Sequence, residues 1–154
     1  MIVDLFCGEG RFPGEDVISI DVQRKVKPTI IADVRYLPLR PKLRPKLVHA
    51  SPPCKYFSYG NIRKHGYNEK GLAASLRLVA ACFDAFTHLE PDMWTLENPN
   101  GLLRRILPPN AKTHYTAYDL THKDTDFWSD NRELKRALIP LDIRQKILDV
   151  CKNE

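Results

Sequence analysis

The chain has 154 residues, 43% of them hydrophobic and 28% charged, with a formal net charge of +5. That length suits a single domain, expected to span 1–154, with a core of its own, and the composition excludes disordered and fibrous classes. The positive balance suits a polyanionic partner without requiring one. Cys7, Cys54, Cys82 and Cys151 are far apart, with no CxxC pair and no histidine pair at ligand spacing, so no zinc or other metal site is expected. No stretch is read as approaching the roughly 18 apolar residues of a membrane span. Met1-Ile2-Val3-Asp4 carries no basic n-region or cleavage site, which gives the expectation of a cytoplasmic protein with reduced thiols.

In chain order, Ile2 to Phe6 is an apolar run ending in Cys7-Gly8-Glu9-Gly10, which predicts a buried strand and a glycine turn. Val17 to Ile20, closed by Asp21, predicts a second strand. Thr29 to Ala32, closed by Asp33, predicts a third, and Leu47 to Ala50, closed by Ser51-Pro52-Pro53, a fourth. Leu37 to Lys46 is rich in proline and base and is expected to be an extended surface connection. Asn68 can cap a helix running to about Leu89, with Leu72, Leu76, Val79, Ala80, Phe83 and Phe86 as its apolar face. Met93 to Leu96 predicts a fifth strand, ending in Glu97-Asn98-Pro99. Thr113 to Tyr118 alternates like a strand, and Pro140 to Val150 reads as a closing helix. Short apolar strands, each ending in a polar or turn residue, predict an α/β, mostly parallel doubly wound sheet with ligand groups at the strand ends.

Three constellations carry chemistry. In Asp4-Leu5-Phe6-Cys7-Gly8-Glu9-Gly10, glycines after the first strand let the backbone approach a ligand closely, although such glycines also serve plain turns. Acids at the ends of the next two strands, Asp21 and Asp33, suit ribose hydroxyls and an adenine amino group. In Ser51-Pro52-Pro53-Cys54-Lys55-Tyr56-Phe57-Ser58, two prolines stiffen the approach to a thiol. A thiolate is a strong nucleophile, and Lys55, Arg63 and Lys64 supply positive charge to favour it. The bland alternative is a buried structural cysteine. Glu97, before Asn98-Pro99, is either a general acid and hydrogen-bond anchor or a solvated strand-end acid.

Taken in order, these segments resemble the cytosine-5 DNA methyltransferase family. Asp4 to Gly10 is similar to its DLFxGxG motif, Pro52 to Ser58 to its PPCxxFS loop, and Glu97-Asn98-Pro99 to its ENV motif in the ENP form of short phage and archaeal members. Thr125-Asp126-Phe127-Trp128 with Asn131 resembles a TxxWxN segment of those short members, and Ala137 to Leu148 the family's terminal segment. The resemblance implies a Rossmann-like class I methyltransferase fold. It implies S-adenosyl-L-methionine as cofactor, held by Asp4, Leu5, Phe6, Cys7, Gly8, Gly10, Asp21, Val22, Asp33, Val34 and Pro53. It further implies Cys54 as nucleophile toward carbon 6 of cytosine, with Glu97 holding the base. Ser51, Pro52, Ser58, Asn98, Pro99, Arg63 and Lys64 would meet the substrate, and Lys55 to Tyr67 would be a mobile loop closing over it. Arg104 and Arg105 are further phosphate candidates.

The chain departs from the family pattern in places. Only Arg11 to Asp16 separates Gly10 from the second strand, where a full helix is usual, and Pro13 and Gly14 oppose one. Thr113 to Asp119 stands where an arginine-rich strand is expected. No segment is long enough for a target recognition domain, which leaves DNA, single-stranded DNA or RNA as substrates and a homodimer or accessory partner as sources of specificity. The alternatives to a cytosine-5 enzyme are a weak or inactive methyltransferase-like module and an amino-methyltransferase. The latter wants an aromatic where Cys54 stands.

Overall fold

The computed structural model describes residues 1–9, 12, 16–109, 111–115 and 123–130. They form one seven-stranded sheet in the order β3-β2-β1-β4-β5-β7-β6. The parallel part comprises β1 (Ile2–Leu5), β2 (Val17–Asp21), β3 (Ile30–Ile31), β4 (Leu47–Ala50) and β5 (Met93–Pro99). β7 (Lys123–Ser129) runs antiparallel to β5, and β6 (Ala111–Tyr115) antiparallel to β7. The mixed α/β, mostly parallel, Rossmann-like architecture is as expected. The order reverses between β1 and β4, which opens a crevice at their carboxyl ends.

Strand existence follows the apolar runs, and the limits move with pairing. β3 is cut to Ile30–Ile31 because only that pair meets β2, at Ile20 and Asp21. β5 extends through Pro99 because β7 pairs with it from Thr95 to Pro99. That seventh strand was read only as a motif, since its acidic residues break the strand pattern. The terminal helix over 140–150, the strand residues 116–118, and Gly10, Arg11, Asn131 and Cys151 lie outside the described residues.

The connection from β4 to β5 carries α1 (Tyr59–His65) and α2 (Glu69–Leu89). Asn68 caps α2 as expected, its side chain accepting the Gly71 N–H at 2.7 Å. The buried stripe is Ser75, Val79, Cys82, Phe86 and Leu89, with Ala81 and Ala85 beside it, whereas Ala80 is exposed. The apolar face was therefore misplaced at Ala80, which lies one step round the helix from the packed stripe. Phe86 stacks on Trp94 of β5 with ring centroids 4.8 Å apart, and Phe83 meets both edge-on. By length and composition α2 is long and apolar enough to cross a membrane, which corrects the first reading of the chain; here its apolar stripe lies in the core.

Residues 37–46 are not simply extended. Lys42 and Arg44 adopt left-handed backbone at φ 56° and 51° and donate N–H bonds to the carbonyls of His88 and Leu89, satisfying the carboxyl end of α2.

Register sorts the sheet into two faces. One face presents Val3, Ile18, Val48 and Trp94, then Leu5, Ile20, Ala50 and Leu96, to the α2 side. On the other, Ser19, Asp4, His49, Thr95 and Ser129 stand in one row across the strands, each at most 5% exposed. Two residues further along β2, β4 and β5, the same side brings up Asp21, Ser51 and Glu97. A buried polar row thus lies directly beneath the strand-end residues singled out for chemistry.

Candidate active site

At the crevice, the chain turns sharply over the end of β1. Phe6 and Cys7 both donate their N–H to the Ile20 carbonyl, at 2.9 and 3.3 Å, which forces Phe6 to φ 57° and Gly8 to φ 53°. Gly8 tolerates this conformation freely, while Phe6 holds it at a cost of about 1 kcal/mol, as residues at ligand sites often do. The Gly8 N–H donates to Asp21 Oδ2 at 3.1 Å and the Gln23 N–H to Asp21 Oδ1 at 2.8 Å, tying the ends of β1 and β2 together. Each carboxylate oxygen keeps a further lone pair for a ligand hydroxyl.

This turn borders a cavity of about 420 Å³ lined by Phe6, Gly8, Asp21, Val22, Asp33, Val34 and Pro53. All seven had been assigned to cofactor binding. Ile20, Gln23, Ala32, Arg35 and Leu78 complete it, together with Ser51, which had been assigned to substrate. The volume lies in the usual range of small-molecule sites, roughly 300–1,000 Å³. Asp4, Leu5 and Cys7 do not line it but are buried beneath it, Asp4 accepting the Phe12 N–H at 3.2 Å. Asp33 is clasped by Arg35 through both backbone N–H and guanidinium, and these hydrogen bonds hold its carboxyl below the usual carboxylate range. The cavity wall therefore carries an anion and a cation, where only an acid was expected.

Across the switch point stands the Pro-Pro-Cys turn. Phe57 and Ser58 return their N–H groups to the Cys54 carbonyl at 2.9 and 3.0 Å, so residues 54–58 close a tight loop. Three contacts clamp it. Asn98 Nδ2, fully buried, donates to the Pro52 carbonyl at 2.9 Å. Phe57 is fully buried in the core. Its carbonyl accepts the Leu102 N–H at 2.9 Å, and Ser58 bridges Gly101. A Cβ on Gly101 would meet the Phe57 carbonyl oxygen at 2.2 Å, so only glycine permits this approach. Cys54 itself is half-buried, and Glu97 is half-buried on β5, one step beyond the Ala50↔Leu96 pair and therefore level with Ser51. Asn98, expected to meet the substrate, joins the two motifs within the protein. Pro99 pairs with Thr125 at the end of β5.

Cys82 differs from Cys54 in kind. Burial in α2 pushes its thiol up to about 12, and its Sγ donates to the Leu78 carbonyl, so it remains a neutral core group. Among the described residues no cluster could hold a metal ion.

Two expectations about the surrounding surface change. Within Lys55 to Tyr67, expected as one loop, Tyr59–His65 form α1, none of whose residues is buried. Arg63 and Lys64 lie in its last turn and are exposed. Tyr56 packs across Gly71 of α2, where a Cβ would sit 2.4 Å from its ring. Arg104, proposed for phosphate, instead grips the fully buried Asp126 of β7, its Nε donating at 2.9 Å and its Nη2 reaching the other oxygen. Arg105 stays exposed and lies over the Tyr59 ring. Gly101, two residues after Pro99, was the available signal for the clamp, since an isolated glycine beside a strand marks close backbone approach.

No family model matches the chain. It is 27% identical over 152 residues to a protein of Frog virus 3 (isolate Goorha) named a probable DNA (cytosine-5)-methyltransferase, the match covering 84% of this chain and 70% of that protein. The chain is thus similar, along most of its length, to a protein of the family that its strand-end motifs resemble.

Proposed function

We propose that this chain is a class I, S-adenosylmethionine-dependent methyltransferase that acts on carbon 5 of cytosine in DNA. The observation that carries the reading is the Asn98–Pro52 hydrogen bond, which sets the Cys54 turn beside Glu97 and against a cavity lined by Asp21, Asp33 and Pro53. The similarity to the frog-virus protein supports the same chemistry.

The residues fit the cofactor. Across the order β3-β2-β1-β4, the strand ends present Asp33, Asp21, Gly8 and Ser51 in succession. Val34 and Asp33 would flank an adenine, Asp21 the ribose hydroxyls, and Ser51 with Pro53 the amino-acid end nearest Cys54. Bound there, S-adenosylmethionine supplies an electrophilic methyl group. Cys54, as thiolate, forms a bond to carbon 6 of the ring, while Glu97 holds the N3 and amino edge and stabilises the charge that develops there. The electron pair released to carbon 5 would take the methyl group, the sulfur–methyl bond breaking with its electron pair kept on sulfur, so that S-adenosylhomocysteine leaves. A base then removes the proton from carbon 5, and the Cys54–carbon 6 bond breaks to restore the aromatic ring. Residues 1–154 are read as one catalytic domain. In a duplex the base must leave the stack.

A strand containing 5-fluorocytosine tests the reading, because fluorine at carbon 5 blocks the final elimination. With S-adenosylmethionine the protein should form a stable covalent adduct, visible as a mass increase on the Cys54 peptide, and Cys54→Ser should abolish it. Absence of both adduct and methyl transfer on single- and double-stranded DNA and RNA would leave a methyltransferase-like binding module.

A further inference from the structure

His49 stands in the middle of the buried polar row and has no part in the chemistry above. It is 3% exposed, and both ring nitrogens are engaged: Nδ1 with Thr95 Oγ1 on β5 and Nε2 with Ser51 Oγ, each at 2.8 Å. Phe12 closes over the ring edge-on, with centroids 4.9 Å apart. Thr95 is fully buried, whereas Ser51 lines the cavity. The chain Thr95–His49–Ser51 therefore runs from the inside of the sheet to the wall of the ligand site.

A hydroxyl is ambiguous: it donates one hydrogen bond and accepts others. A neutral imidazole removes the ambiguity, because it has one N–H and one bare nitrogen, and the bond made by one nitrogen sets the role of the other. With the proton on Nδ1, donated to Thr95 Oγ1, the bare Nε2 takes the Ser51 hydroxyl proton. The lone pairs of Ser51 Oγ are then left facing the cavity. With the proton on Nε2 the roles reverse, and Ser51 becomes a donor toward the ligand.

We infer that His49 is a positioning residue that holds Ser51 Oγ as a hydrogen-bond acceptor for the α-ammonium group of the ligand's amino-acid end. This rests on the cofactor reading above. Ser51 follows β4 directly, at the end of the crevice opposite Asp33, where the cofactor reading puts that portion of the ligand. An ammonium brings donors and no acceptor, so it is best served by the arrangement in which Ser51 donates its hydrogen bond to His49, which leaves both Oγ lone pairs free for the ligand. A bond of this kind to a charged donor is among the stronger ones, and Ser51 alone, free to rotate, would spend part of its time wrongly oriented.

The test compares three ligands by titration calorimetry on the full chain. These are S-adenosylmethionine, its decarboxylated form, which keeps the ammonium and lacks the carboxylate, and methylthioadenosine, which lacks both. Ser51→Ala and His49→Asn should weaken the first two by about tenfold and leave methylthioadenosine unchanged. His49→Gln, whose longer amide reaches the Nε2 position, should restore most of the loss. The double variant Ser51→Ala, His49→Asn should be no worse than either alone, because the two act through one bond. An equal loss for all three ligands would mean that His49 only supports the fold, and would overturn the inference. A loss for S-adenosylmethionine that spares the decarboxylated form would overturn it too, since Ser51 would then be donating to the carboxylate. Failure of the unaltered protein to bind any of the three would overturn the cofactor reading instead.

Discussion

The two sides of the switch point are built differently. On the β3-β2-β1 side, the cavity wall is made of separate strand ends, each contributing several residues, and backbone N–H groups hold the key acid from two directions. On the β4-β5-β7 side, one turn carries the thiol and is clamped by Asn98 and the Phe57–Gly101 approach, while the Arg104–Asp126 pair braces β7 beside the Asn98 strand that makes the clamp. A binding wall can adjust its side chains around a ligand. A nucleophile has to be aimed, and a misplacement of about 1 Å costs on the order of a hundredfold in rate. The difference predicts that changes in the two regions separate into losses of transfer with stability and losses of binding.

Arg104→Met should have the largest effect. It leaves the Asp126 carboxylate buried without its cation, at a cost of about 3–5 kcal/mol in denaturant unfolding. Equal stability of variant and parent would show that the pair does not brace β7. Asn98→Ala comes next. Losing the bond to Pro52 should cost about 1–3 kcal/mol of stability and lower methyl transfer by more than ligand affinity. If affinity falls as far as transfer, the two regions are not separable. Asp21→Asn probes the other side: one amide N–H must then face Gly8 or Gln23, and S-adenosylmethionine should bind about tenfold more weakly, while alkylation of Cys54 proceeds at the parent rate.

The smallest effect concerns pH. Asp33 is held below the usual carboxylate value by Arg35, so its pairing contributes stability that is present above about pH 4 and is lost as pH falls through the depressed folded value. Arg35→Gln should flatten the acid limb of the stability curve by removing that small contribution above about pH 4, leaving stability at lower pH unchanged; the loss is small because Arg35 is exposed. A variant whose acid limb matches the parent's would show that Arg35 is not what depresses Asp33.

Much of the arrangement was legible before any coordinates. β1, β2, β4 and the capped α2 follow from apolar runs closed by polar residues and from Asn68, since local pattern dictates those elements. Gly8, Asp21 and Asp33 could be placed together because a parallel sheet collects its strand ends on one edge, and the family resemblance added Phe6, Val22, Val34 and Pro53. Less visible was β7, whose acidic strand makes sense only once Asp126 has Arg104 as a partner. Also hidden was α1, a short helix with no buried face to give it a period. Nothing local marked His49 either, because Ser51 two residues on is an ordinary neighbour and Thr95, which completes the chain, meets His49 only through strand register.

The amino-acid sequence by itself determined which strand ends carry acids, where the thiol follows its two prolines, and that the sheet would be largely parallel, because periodicity and turn chemistry act over a few residues. Only the tertiary structure decided that Asn98 holds Pro52, that Arg104 serves Asp126, and that a buried histidine stands behind Ser51. Those assignments join residues 2 to 46 positions apart in sequence, and register and burial, rather than local propensity, choose among the possible partners.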